Sequence, residues 1–314
     1  MFKYKINIIA LFVFALFTSC SRHEEQEKLV LPLQLVVHSD MAYSSTRRIV
    51  GDPGTAERLD LPRYAYVFTV FKKISGDYDV RTIVQSDLYD GGKTDSEVWT
   101  AVDTGGDIVY RCLIKLEEVT PVLGQVEYCH VYAAVSKVPL TLTNTNPLTE
   151  GDVLNVQFNV DDEMQDELQN IYSTPYNNYI DGRYYGRLNV RQSVTSTDIV
   201  LYHVASKVDL LWNVQENKQS EMRITGIKAK NLFKGDSYLF RPTENVHSQF
   251  TSSDGYTLGD LVGDVAGTWW AGRTYFYTIP YRTNEDGKFP LQVDVDVMNT
   301  SADATYTQIG RAHV

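Results

Sequence analysis

Histidine and cysteine are scarce in this chain, six and three among 314 residues. Three cysteines cannot build the disulfide framework of a small secreted scaffold. His38, His130, His203 and His247 are scattered through the body of the chain without metal-ligand spacing. His130 and His203 fall inside strand patterns, where a ring satisfied by its neighbours is the ordinary case. Basic residues are also few, 29 Lys and Arg against 40 Asp and Glu. A formal charge of −11 argues against nucleic acid as a partner, because phosphate binding needs basic clusters. No G-x-S-x-G, H-E-x-x-H or phosphate-cradling glycine loop occurs. The reading is therefore of a protein that is not an enzyme and needs no metal and no cofactor. Asp161-Asp162-Glu163 with Asp166-Glu167 lacks the order of a calcium loop and reads as charge at a helix N-terminus. Asp294 and Asp296 alternate with Val293, Val295 and Val297, as in a strand with one wet face.

Long apolar runs are missing too, with one exception at the start. The stretch 8–17 follows Lys3 and Lys5, is too short for a stable membrane-spanning helix, and ends in Leu16-Phe17-Thr18-Ser19-Cys20. A basic flank, a short apolar run and a small residue before a cut make a secretory signal. A cysteine directly after the cut makes it resemble a bacterial lipoprotein signal. That resemblance implies a lipid on the Cys20 sulfur and removal of 1–19 as signal peptide, leaving 314 − 19 = 295 residues. The loss of Lys3 and Lys5 would leave 27 basic and 40 acidic residues, a charge of −13. The lipid, not charge, must then hold the protein to a membrane, and the several acyl chains of such cysteines anchor durably. Residues 20–28 read as a lipidated tether, acidic and polar. The acidic cluster also resembles the signal that exports some lipoproteins to the outer face of the outer membrane. A solvated linker accounts for it equally well.

Tyrosine is abundant at 21, beside 12 Phe and 4 Trp, which favours strands. Strands are expected over 29–37, 64–74, 80–84, 97–102, 108–116 and 126–135, with turn residues between them. The strand at 64–74 is apolar on both faces, so it needs a partner over each. After a breaker-rich stretch at 145–152, strands are expected over 153–160, 199–214, 222–229, 237–240, 274–280 and 291–297, with one short helix at 161–171. The expected fold is all-β, with an N-terminal β-sandwich over 29–144, a linker at 145–152 and a C-terminal β-sandwich over 153–308. Cys112 and Cys129 fit opposite positions of a hairpin centred near Pro121, either as a disulfide or as two buried free thiols. Trp269-Trp270, between Gly267 and Gly272, offer either a sugar-stacking surface or an aromatic closing the sandwich end. The closing residues Ile309-Gly310-Arg311-Ala312-His313-Val314 match the translation of a common sequencing adapter. The native sequence is accordingly expected to depart from this one after Gln308, and the second domain to be truncated.

Together these features resemble the fimbrillin superfamily of type V pili. The resemblance rests on the lipoprotein cysteine, the aromatic strand after a Gly/Pro/Asp-rich stretch and the tandem β-domains. It also rests on Val204-Ala205-Ser206-Lys207-Val208-Asp209 and on Gly272-Arg273-Thr274-Tyr275-Phe276-Tyr277-Thr278-Ile279-Pro280. It implies two transthyretin-like (immunoglobulin-like) sandwiches in a pilus shaft subunit, tip subunit or outer-membrane anchor. It further implies assembly with other pilus subunits by donor-strand exchange, and adhesion to host surfaces or glycans. In shaft subunits an Arg-specific protease cuts after the first strand. Here that strand is 29–37, and Arg47-Arg48 are the candidate processing site; anchors keep the strand and the lipid. A surface glycan-binding lipoprotein for polysaccharide uptake is the competing reading, with Trp269 and Trp270 as its contacts.

Overall fold

The computed structural model describes residues 28–38, 61–104, 108–119, 126–174, 179–180, 197–240, 256–257, 270–279, 291–299 and 304–311. Over these the chain is all-β. In the first half run β1 (Lys28–His38), β2 (Tyr64–Lys73), β3 (Tyr78–Asp87), β4 (Thr100–Asp103), β5 (Ile108–Val119) and β6 (Val126–Ser136). There follow β7 (Gln157–Val160), β8 (Ile171–Ser173), β9 (Tyr179–Ile180), β10 (Thr197–His203) and β11 (Ser206–Asn213). The chain continues with β12 (Met222–Lys230), β13 (Gly235–Tyr238), β14 (Tyr256–Thr257), β15 (Ala271–Thr278), β16 (Gln292–Asn299) and β17 (Ala304–Arg311).

The main sheet has the order β3-β2-β6-β8-β10-β1-β5-β4, with β9 added on β6. Its neighbours are antiparallel except β1 and β10. β10 changes layers along its length. Its first residues pair with β1, from Leu33↔Thr197 to Val37↔Leu201, and its last two pair with β8 through Tyr202↔Ser173 and His203↔Tyr172. A strand shared in this way lets one sheet turn back on itself, as at the corners of packed sheets. β1 and β5 then face β2 and β6 across a single core. Side chains of period two fill it: Leu33, Leu35 and Val37 from one layer, Ala65, Val67 and Phe71 from the other.

β2 is buried on both faces, as its sequence predicts, and every residue from Ala65 to Val70 is 0% exposed. Its second face, Tyr66, Phe68 and Val70, enters another core with Tyr132, Phe158, Leu168 and Phe240. Phe68 meets Phe240 edge-on, ring centroids 5.7 Å apart, and the Leu140 amide donates to the Tyr66 hydroxyl at 2.6 Å. The remaining strands form β13–β7, which packs on this second core through Phe158 and Val160, and β11–β15 and β14-β12-β16-β17, which enclose two smaller clusters around Ile227 and Leu232.

Several expectations are corrected. The 145–152 stretch does not divide the strand pairing, because β8, β9 and β10 join the sheet of β2 and β6. Nor is it all linker. Thr149 caps a helix over Glu150–Leu154, its hydroxyl accepting from the Asp152 amide at 3.2 Å while Asp152 accepts from the Thr149 amide at 2.9 Å. The strand expected at 97–102 begins as a capped turn of helix, Asp95–Val98, before β4. The long strand expected at 199–214 is two, β10 and β11, parted at the buried pair Val204-Ala205. Asp294 is not on a wet face. It is 3% exposed, with Lys230 Nζ at 2.5 Å and Gln292 Nε2 donating at 2.7 Å. The helix at Asp162–Glu167 is capped by Asp161 as predicted, which accepts from the Met164 amide at 2.8 Å. β17 pairs with β16 from Ala304 to Arg311, in continuous register through Ile309 and Gly310 of the stretch read as adapter-derived.

Candidate functional site

The first strand occupies a seat rather than an edge. β1 pairs with β5 over its whole length, from Lys28↔Val119 to His38↔Val109, and with β10 from Leu33 to Val37. Among the described residues Pro32 lies just outside the β10 ladder, opposite Lys115 of β5. That is where a residue without an N–H is tolerated in a sheet. Leu33, Leu35 and Val37 are 0% exposed and point into the first core. In register, Leu35 stands between Cys112 and Ile199, Leu33 beside Ile114, and Val37 beside Leu201. Across the core they share a cluster with Ala65, Val67 and Phe71 of β2. So β1 is the partner over one face of β2. At about 1.5–3 kcal/mol per fully buried aliphatic side chain, these three contribute about 5–9 kcal/mol of seating. Taking β1 away would bare an apolar trough and the ladder edges of both β5 and β10.

Cys20, Arg47, Arg48 and Trp269 lie outside the described residues. The structure places Cys112 on β5 and Cys129 on β6, but not opposite one another. The β5–β6 hairpin register is not formed, because β5 pairs with β1 and β4 while β6 pairs with β2, β8 and β9. Cys112 is opposite Leu35 and Cys129 opposite Phe71. Both are buried free thiols in the same core, and burial pushes the Cys112 thiol up to about 11. Trp270 is half-buried and packs against Val214, Ile224 and Ile227.

A polar cluster escaped the sequence. Tyr128, His130 and Tyr132 alternate on one face of β6 and converge on Glu150, the first residue of the helix after Thr149. The Glu150 carboxylate accepts from the Tyr132 hydroxyl at 2.6 Å and the Tyr128 hydroxyl at 3.0 Å, and pairs with His130 Nδ1. The His130 ring stacks on Tyr128 with centroids 4.3 Å apart. Burial alone would raise the Glu150 pKa. The hydrogen bonds from His130 and Tyr132, the His130 charge and the Tyr128 hydroxyl outweigh it and hold the carboxyl down at about 2. Burial and Glu150 together push the Tyr128 hydroxyl well above its ordinary range. The i, i+2, i+4 spacing on β6 and the capping motif at Thr149 were both visible in the sequence. Their meeting was not, because it depends on how the sheet turns. The cluster contains no nucleophile placed beside a base, and its chemistry is that of a clasp. His203, between the rings of Tyr172 and Tyr277 at 4.3 and 5.4 Å, is likewise a packed histidine. Among the described residues no group of three or more His, Cys, Asp or Glu could hold a metal, and no helix is long and apolar enough to cross a membrane.

No family model and no curated protein matches the chain. Among solved structures it is similar to a candidate adhesin from Bacteroides ovatus, at 11% identity and TM-score 0.39, over 90% of this chain and 77% of that one. A candidate adhesin from Bacteroides thetaiotaomicron gives 9% identity and TM-score 0.38, over 88% and 79%. A candidate cell adhesion protein from Bacteroides ovatus gives 14% and 0.41, over 90% and 86%. Likeness at these levels fixes neither a family nor an activity for this chain.

Proposed function

We propose that this protein is a structural component of a cell-surface fimbria, a pilus subunit or its outer-membrane anchor, which assembles by exchanging its first strand and supports adhesion. One observation carries the reading. The first strand after the tether fills a central seat between β5 and β10, and the residues joining it to β2 include Arg47-Arg48. A strand seated in that way can be replaced by another that presents apolar side chains at every second position. Main-chain bonds to two ladders supply affinity and the trough supplies selectivity. Its partners on this reading are other subunits through the seat and the outer membrane through a lipid on Cys20. The protein needs no cofactor and catalyses nothing. An uncut chain keeps β1 and its lipid and serves as anchor; a chain cut after Arg47 or Arg48 can give up β1 and join a shaft.

The test uses the full chain and an Arg-specific protease. The protein nicked between His38 and Leu61 should take up a labelled peptide of sequence 28–38, or oligomerise, while a scrambled peptide is ignored. Arg47→Ala/Arg48→Ala should resist the cut and do neither. Palmitate should label the wild type and not Cys20→Ser. Nicked protein that stays monomeric and takes up no peptide overturns strand exchange, and equal label in both proteins overturns the anchor.

A further inference from the structure

Among the described residues the main sheet does not close: β3 ends it on one side and β4 on the other, and β4 pairs with Ile108–Arg111 of β5. Between the end of β3 and the part of β5 that follows lies a cavity of 340 Å³, within the size range of small-molecule sites. Apolar side chains of the first core reach it, among them Ile83, Val98 and Ile114. Hydrogen-bonding groups ring it: Gln34 from β1, Ser86 from β3 and Thr100 from β4.

The charges at this opening are unusual for so acidic a chain. Lys93, Arg111 and Lys115 line it together with Asp87 and Glu97. Both carboxylates are already engaged. Asp87 accepts from Arg63 Nη2 at 3.0 Å and from the Tyr89 amide at 2.9 Å; Glu97 accepts from the Thr94 amide at 2.7 Å and its hydroxyl at 2.8 Å. Arg111 reaches Asp198 with one terminal nitrogen at 3.3 Å, and its Nε is buried without a hydrogen-bond partner. Lys93 lies within electrostatic reach of Asp87 and Glu97, but neither it nor Lys115 makes an ion pair among the described residues. The position of Lys93 is built in. Gly91 and Gly92 both take left-handed backbone, φ 79 and 78, which only glycine adopts freely, and the Thr94–Glu97 capping box fixes the chain immediately after.

We propose that this open seam binds a carboxylate-bearing sugar residue of an anionic glycan. The ammonium groups of Lys93 and Lys115 would take the carboxylate, with the Arg111 guanidinium beside them, as charge-assisted hydrogen bonds. Gln34, Ser86 and Thr100 would meet the hydroxyls, and the Ile83–Val98 surface the apolar face of the ring. Because Gln34 belongs to β1, emptying the seat of β1 also removes one wall of this site. The inference rests on the adhesion half of the proposed function for its meaning, but its test involves no strand exchange.

The intact full chain is titrated with sialyllactose and a galacturonate trisaccharide, each beside its uncharged counterpart, lactose or the methyl-esterified trisaccharide. At least one acidic sugar should bind about tenfold or more tightly than its counterpart, and more weakly as salt rises. Lys93→Ala/Lys115→Ala should lose about tenfold or more. Lys93→Arg/Lys115→Arg should keep most of the binding, and Trp270→Ala should leave it unchanged. Thermal unfolding of each variant shows whether it is folded. The proposal is overturned if no acidic sugar binds above its counterpart, if binding survives the loss of both lysines in a folded variant, or if an acidic peptide binds through them where sugars do not.

Discussion

Replacing Glu150 with glutamine exchanges a carboxylate for an amide of nearly the same shape and leaves Tyr128, His130 and Tyr132 in place. The carboxylate is held at about 2 against an ordinary 4.5. A displacement of that size corresponds to about 3 kcal/mol of differential stabilisation of the ion. The cluster is not closed off, with side-chain exposures of 19% at His130 and 16% at Glu150, and solvent screening brings the expected value down to about 1–2 kcal/mol. The sign follows from the direction of the shift. A carboxyl whose folded pKa is depressed contributes fully above its unfolded value, so the contribution is complete above about 4.5 and disappears as pH falls toward about 2. Urea unfolding of wild type and Glu150→Gln at a series of pH values is the assay. The wild type should be more stable by about 1–2 kcal/mol near neutrality, and the two curves should converge in the acid window. Equal stability at neutral pH, or a difference that stays constant down to pH 2, would refute the argument that the ionised carboxylate clasps the helix to β6.

Leu35→Ala should destabilise the protein by about 2–5 kcal/mol, since it empties a fully buried position between Cys112 and Ile199. Gln34→Ala, on the opposite face of β1, empties less buried apolar volume and should cost less in urea unfolding; a Leu35→Ala loss no larger than that of Gln34→Ala would mean β1 is not seated as described. Cys112 and Cys129 should both resist a thiol reagent at pH 8 in the native protein and both react in denaturant, because they are buried and the Cys112 thiol is pushed up to about 11. Rapid labelling of either in native protein would show that the first core opens.

The local grammar of the chain was legible and its long-range pairing was not. β1, β2, β5 and β6 lie within two or three residues of their expected bounds, because alternation and aromatic content are properties of short windows. Burial of both faces of β2 followed from the same windows. What failed were choices among partners. Cys112 and Cys129 satisfied a hairpin register perfectly well on paper, yet β5 pairs along the eleven residues of β1, whose apolar row matches its own. The stretch at 145–152 carried breakers and read as a boundary, although Thr149 and Asp152 also spell a helix cap. Asp294 read as solvent-facing because the lysine that covers it, Lys230, sits on another strand. The seam cavity was invisible for the same reason, since it is lined from β1, β3, β4, β5 and the turn carrying Lys93, far apart in the sequence.

The seat of β1 also determines how the protein bears load. A pull applied ahead of Lys28, along the strand, is shared by two flanking ladders at once, five residue pairs with β10 and eleven with β5. Such a strand is sheared rather than peeled, so many main-chain bonds must yield together, and rupture is governed by the barrier rather than by equilibrium stability. β2, on the far wall of the same core, is covered on its other face by Phe158, Leu168 and Phe240. Tension arriving through β1 therefore meets a wall that is braced from behind, and it enters the main sheet through the two ladders at its centre rather than at its edge strands β3 and β4.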